Sequence, residues 1–166
     1  YPAAFGGGND SLLVFNHPGR EDALEQIVDP LGGDPAYTFN DFRYVPAADR
    51  RAVGLEVFGQ GSEYDSGGPG GSWLAYALDQ GWHLGAVGSE DHHDQEWGDA
   101  DLPKTVLIAR SRAASDLREA LSARRFYAVA QGYNDVRLTV TVGDAPMGSR
   151  VRRPVGQRLT LEALLS

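Results

Sequence analysis

The sequence has no cysteine, so neither a disulfide nor a thiolate metal site can form, and any transition metal has to be held by imidazole and carboxylate. That absence leaves the compartment open, because exported proteins can lack cysteine too. No stretch approaches the roughly 20 apolar residues a membrane-spanning helix needs, and no charged, apolar and small-residue succession at Tyr1 has the form of a signal peptide. Cationic charge is also short. The 15 Lys and Arg stand against 23 Asp and Glu, for a formal net charge of -8, and the arginines are scattered rather than gathered in a stripe. Neutralising phosphates takes a basic face, so nucleic acid is not an expected partner. Lysine is nearly missing, Lys104 being the only one, which together with abundant Ala and Gly points to a GC-rich bacterial genome.

What is present is a chain of 166 residues, 42% of them hydrophobic, long enough to bury one sizeable core or to contribute much of a larger one. A β run, Ser11 to Phe15, ends at Asn16-His17-Pro18-Gly19, where Pro and Gly cannot prolong a strand. A short helix is expected from about Glu21 to Val28. A second β run, Val53 to Phe58, leads into a glycine-rich stretch, 59–71, that reads as a long connecting loop with Tyr64 and Asp65 as candidate substrate contacts. Ser72 is the expected N-cap of a helix that turns Trp73, Leu74, Ala77 and Leu78 to the core and stops at Gly81. The short β run Leu84 to Val87 then runs straight into Gly88-Ser89-Glu90-Asp91-His92-His93. Thr105 to Ala109 reads as a further strand, and Ser115 as the cap of a helix carrying Leu117, Ala120 and Leu121.

This alternation of strand and helix predicts a parallel sheet or an α/β barrel over residues 1–132. After Tyr133 the texture changes. Val136, Leu138, Val140 and Val142 alternate with polar residues, predicting a small antiparallel β appendage over 133–166. Its last run, Arg158 to Leu165, reads as unpartnered, and both chain ends read as abrupt, so a fragment of a longer protein is expected.

Parallel α/β folds bind ligands at the carboxyl ends of their strands, because the loops converge there. His17 and the Asp91-His92-His93 cluster both follow such ends. Two separate strands thus deliver imidazole and carboxylate to one predicted face, which is the donor set of a nitrogen and oxygen metal site. Asp91 and His93, as alternate residues, are expected to aim to one side, leaving His92 for proton transfer or substrate contact, or to replace His93 as ligand where the turn is tighter. Glu56, in mid-strand, is expected to face the interior and orient a ligating imidazole from behind. The bland readings are a loop histidine at His17, a solvated acidic turn at 90–94, and a Glu56 that pairs with an arginine.

Taken in order, Phe15-Asn16-His17-Pro18-Gly19, Gly54-Leu55-Glu56-Val57-Phe58 and Gly88-Ser89-Glu90-Asp91-His92-His93 resemble the PHP-domain metal-dependent hydrolases. Lys104 to Ala109, the helix Asp116 to Arg125, Phe126-Tyr127-Ala128 and Gly143 to Gly148 look like the subgroup that includes carbaryl hydrolases. The resemblance covers roughly residues 11 to 150. It implies the C-terminal part of a distorted (β/α)7 barrel holding two or three Mn, Zn or Fe ions that activate water to cleave phosphoesters or related esters. His17 matches the histidine of the family's HP motif, and Asp91 and His93 match its late D-x-H pair. The family's early H-x-H, its first aspartate and its intermediate glutamate and histidine ligands have no counterpart. Either the preceding half of the barrel is a missing partner of this chain, or the chain is a degenerate, non-catalytic scaffold. The expected substrate is a small molecule.

Overall fold

In the computed structural model, which describes residues 11–19, 39–59, 62–95 and 97–166, the run predicted at 53–58 becomes the central strand of the largest sheet. This strand, β2 (Ala52–Gly59), is almost wholly buried. It pairs in parallel with β1 (Leu13–Phe15) through Val14↔Gly54 and Phe15↔Leu55, and in parallel with β4 (Gly85–Ser89) through Gly54↔Gly85 and Leu55↔Ala86. Because both neighbours pair with Gly54 and Leu55, they must flank β2 on opposite edges. The carboxyl ends of β1, β2 and β4 therefore open on one side of the molecule. A two-residue strand, β3 (Ser62–Glu63), turns back antiparallel onto the end of β2.

Alternation along β2 divides its two faces. Leu55 and Val57 join Phe42, Trp73, Ala77 and Trp82 in the buried core. The rings there meet edge to face, with centroids of Phe15 and Phe42 and of Phe15 and Trp82 both 5.2 Å apart. Truncating an aromatic side chain such as Phe42 to alanine in a core of this kind costs about 3–5 kcal/mol. Gly54 and Glu56 lie on the other face, where an added Cβ at Gly54 would sit 3.4 Å from the ring of Phe126 and one at Gly85 only 2.7 Å from it. Two glycines on adjacent strands thus make room for one aromatic ring.

Helix α1 (Pro46–Asp49) is a single turn opened by proline, whose missing N–H is of no consequence at that position. Helix α2 (Trp73–Asp79) starts as expected, the Ser72 hydroxyl accepting from Ala75 N at 3.0 Å, and the chain leaves it through Gly81 at φ +105°. Trp73 and Ala77 are buried as expected, whereas Leu78 is exposed. The glycine-rich stretch is more built than a plain loop. It contains 3₁₀ turns at Asp65–Gly67 and Pro69–Gly71, and the Asp65 carboxylate accepts from Ser72 Oγ and from Leu74 N, each at 2.7 Å. The Asp65 carboxylate is thus bonded to the start of α2. The helix expected at Glu21 to Val28 lies outside the described residues.

Beyond β4 the strict parallel expectation fails. Strands β5 (Lys104–Leu107) and β6 (Phe126–Val129) pair antiparallel, with helix α3 (Ala114–Ser122) as an excursion between them. Arg124, at φ +56°, reverses the chain after α3, and Ile108 N donates to Arg125 O at 2.8 Å, so the excursion returns to the end of β5 from which it left. The cap of α3 also differs. Ala113 occupies the N-cap, and Ser111 steadies the entry by accepting from Ala113 N and donating to Asp116 Oδ2, while the expected Ser115 lies inside the first turn.

The alternating run near 138 is β7 (Leu138–Val142), in an antiparallel sheet of order β8-β7-β9 with β8 (Ala145–Pro146) and β9 (Leu161–Leu165). The final run is therefore partnered, residue for residue, from Leu138↔Leu165 to Val142↔Leu161. Within the described residues the molecule is mixed α/β with small sheets and no closed barrel, and no helix among them is long and apolar enough to cross a membrane.

Candidate functional site

His17 follows β1 with its backbone in the left-handed region, at φ +52°. The turn is fixed from below, since Pro18 is buried and Gly19 packs so tightly on Trp73 that a Cβ would lie 2.9 Å from the indole nitrogen. Glu56, 1% exposed, receives the turn: His17 N donates to its Oε2 at 2.8 Å. The buried His17 Nδ1 lies 2.9 Å from the same oxygen but out of line for a hydrogen bond, so that contact is one of proximity. The ring of Tyr64 stands edge-on to the imidazole at 5.5 Å. Gly59 lets this assembly close, because a Cβ there would come within 2.5 Å of the Tyr64 ring and 2.9 Å of Glu56 Oε1.

The second half of the site comes from β4. Ser89 donates to Glu56 Oε1 at 2.8 Å, and its oxygen accepts from Asp91 N at 3.1 Å. Asp91 is itself at φ +50°, so the chain turns at once after the strand. The approach depends on Gly88. A Cβ on it would sit 2.6 Å from Lys104 O, and the Thr105 hydroxyl fills the join by donating to Gly88 O at 2.7 Å and accepting from Gly88 N at 3.0 Å. One buried carboxylate thus holds both strand ends, His17 through one oxygen and the Asp91 turn through the other.

The outcome is an imidazole and a carboxylate brought together across the sheet, His17 Nε2 lying 3.7 Å from Asp91 Oδ1. That is beyond a hydrogen bond. His93 Nε2 approaches the same Asp91 oxygen at 3.9 Å from the solvent side, its side chain 78% exposed. His92 faces its own loop instead, with Nδ1 at 3.5 Å from Glu90 Oε2 and 3.9 Å from Asp94 Oδ1. Glu90 closes that loop by accepting from Gly98 N at 2.9 and 3.0 Å. Among the described residues Glu56 pairs with no arginine; its partners there are His17 and Ser89.

Whether a metal ion fits these residues is a question of kind and of arrangement. Imidazole nitrogen and carboxylate oxygen are the right donors for Zn or Mn, and two bonds of about 2.1 Å can span 3.7 Å between donors. Arrangement is less complete: among the described residues no group of three His, Asp or Glu side chains is placed to hold one ion. His93, 78% exposed, stands out in solvent in this arrangement. The His17–Asp91 pair fits a metal, and a third ligand has to be recruited.

Sequence reasoning placed His17, Asp91, His93 and Glu56 in one neighbourhood but missed Ser89, the hydroxyl that joins them. A serine two residues before Asp91 was the available signal. It also missed a second pair, in which His83 Nδ1 lies 3.0 Å from both carboxylate oxygens of the buried Asp49. No protein-family model, curated protein or solved structure matches this chain.

Proposed function

We propose that the chain is the C-terminal part of a PHP-type metal-dependent hydrolase that uses water to cleave a phosphoester or a related ester of a small molecule. The observation that carries this reading is the Glu56 bridge, which fixes His17 and the Asp91 turn at the ends of two parallel strands with Nε2 and Oδ1 3.7 Å apart. Two neighbouring residues in left-handed backbone at one site are costly, by roughly 1–2 kcal/mol each, and such strain collects where side chains must be aimed. Three parallel strands opening on the same side support the barrel origin.

In this reading His17 and Asp91 would hold a divalent Mn, Zn or Fe ion, with His93 turning in from solvent as the third ligand. Such an ion supplies a water of lowered pKa and stabilises the oxyanion that forms. Glu56 fixes the backbone turn that carries the His17 imidazole. His92, steadied beside Glu90 and Asp94, moves the proton. Tyr64 shields the imidazole on its exposed flank.

Calorimetric titration of the chain with Mn²⁺ and Zn²⁺ tests the site, beside assays on 4-nitrophenyl phosphate and 4-nitrophenyl acetate. Saturable binding that drops at least about tenfold in both His17→Ala and Asp91→Ala, and not in His83→Ala, supports it. A competing reading, a non-catalytic scaffold of the same fold, is favoured by the missing third ligand among the described residues. Absence of metal binding in the unmodified chain, or binding indifferent to both substitutions, decides for the scaffold.

A further inference from the structure

At the opposite end of β2 and β4 from His17 lies a cavity of about 430 Å³ between the α2–β4 connection, the end of α3 and the segment after β8. Leu78, Trp82 and Leu84 form its apolar side, and His83, Arg124 and Arg150 its polar side. Among the described residues no carboxylate lines it, in a chain where acidic residues outnumber basic ones 23 to 15. This local reversal of charge is the first sign of a ligand.

Arg124 is held rigidly. Its Nε donates to His83 O at 2.9 Å, Nη1 to Ser122 O at 2.6 Å, and Nη2 to Asp49 O at 2.7 Å and Ala52 O at 3.0 Å. All four acceptors are neutral carbonyls, so the guanidinium is fixed in place without a hydrogen-bonded carboxylate. Burial lowers its pKa, the Asp49 charge opposes that, and the charge of Arg150 lowers it further. An arginine stays protonated all the same. Arg150 has neither a hydrogen-bond nor an ion-pair partner among the described residues. Two cations within electrostatic reach, neither in an ion pair, repel each other unless an anion lies between them.

Two further features prepare the cavity. His83 turns Nδ1 to the Asp49 carboxylate, which can only accept, so Nδ1 carries a hydrogen and the ring is fixed in place at the cavity wall. Gly148, at φ +83°, brings the following segment against α3 so closely that a Cβ would lie 2.2 Å from Ala123 O. Only a glycine allows Ser149 and Arg150 to reach that wall.

We infer that this cavity binds a small organic oxyanion, a carboxylate or phosphate on a compact apolar group, with Arg124 and Arg150 receiving the oxygens and Leu78, Trp82 and Leu84 the apolar body. Among the described residues Arg150 offers an unbonded guanidinium that matches paired oxygens in geometry as well as in charge, while Arg124, with one Nη1 hydrogen uncommitted, adds its charge and a single donor. The site is distinct from the His17–Asp91 pair and does not rest on the hydrolase reading.

Amide NMR titration with phenyl phosphate and with benzoate tests it, with benzyl alcohol as the uncharged body and inorganic phosphate as the bare anion. The expected result is saturable shifts from at least one aryl anion, centred on residues 78–84, 122–124 and 148–150. Benzyl alcohol and inorganic phosphate bind more weakly. In Arg150→Ala, a substitution at an exposed and unpartnered residue, the affinity falls about tenfold, which is ~1.4 kcal/mol. Gly148→Ala, which displaces the wall and keeps every charge, weakens binding as well. The inference is overturned if neither aryl anion saturates, if the shifts centre elsewhere, if inorganic phosphate binds as tightly as phenyl phosphate, or if Arg150→Ala leaves the affinity unchanged. A shift map centred on His17 and Asp91 counts as such a failure and leaves the hydrolase reading standing.

Discussion

Glu56 reaches Asp91 through a single hydroxyl: its Oε1 accepts from Ser89 at 2.8 Å, and the same serine oxygen accepts from Asp91 N at 3.1 Å. With Oε2 holding His17 N, the buried carboxylate is shared between strands that are far apart in the chain. Removing it leaves several donors without an acceptor. Glu56→Ala is therefore expected to lower unfolding free energy in urea by about 2–4 kcal/mol, and Glu56→Gln, which keeps the shape and one acceptor, by about half that. Equal losses from the two would mean that the retained shape and acceptor contribute nothing and that the charge with its second acceptor carries the whole effect.

Ser89→Ala isolates the relay. The loss in stability should be only about 1 kcal/mol, yet the Asp91 amide should exchange with solvent faster, since its acceptor is gone. Hydrogen exchange at unchanged rate in Ser89→Ala would remove Ser89 from the description.

Gly88→Ala probes the seam between the two sheets. The new methyl meets a backbone carbonyl, Lys104 O at 2.6 Å, and not a flexible side chain. A cost of about 1–3 kcal/mol is expected, together with displacement of the Thr105 hydroxyl. Thermal melts of Gly88→Ala and Gly98→Ala make the comparison. The second glycine has open space around it, so whatever Gly98→Ala costs comes from its backbone at φ +89° and not from a clash.

At α2 the prediction is a pair. Ser72→Ala should cost about 1 kcal/mol through loss of the cap, and Asp65→Ala a similar amount through loss of its bond to Leu74 N. The two should be strongly non-additive in a double-mutant cycle, because Ser72 also donates to Asp65 at 2.7 Å. Additive behaviour would show that the two groups act separately.

What the sequence made legible was local. Alternation and apolar runs located β2, β4 and β7, and Ser72 announced its helix, because each signal acts within a few residues. His17 and Asp91 were legible as neighbours only because parallel strands must end on the same side. The antiparallel turn of β5 onto β6 was not legible, since it depends on Arg124 reversing the chain and reaching carbonyls some 70 positions away, at Asp49 and Ala52. Nor was the pairing of β9, whose partner lies beyond an irregular stretch, nor the capping role of Asp65 within a glycine-rich segment. In the first two cases the missing information was a long-range contact with no periodic trace, and in the third a side-chain bond inside a segment with no pattern to read.

The backbone of His17 and of Asp91 lies in a basin that glycine enters freely and other residues resist. A chain shaped by durability alone would carry glycine at both corners and lose nothing in its ladders. Keeping a ring and a carboxylate there instead makes the two corners soft points of the molecule, at some cost in thermal tolerance.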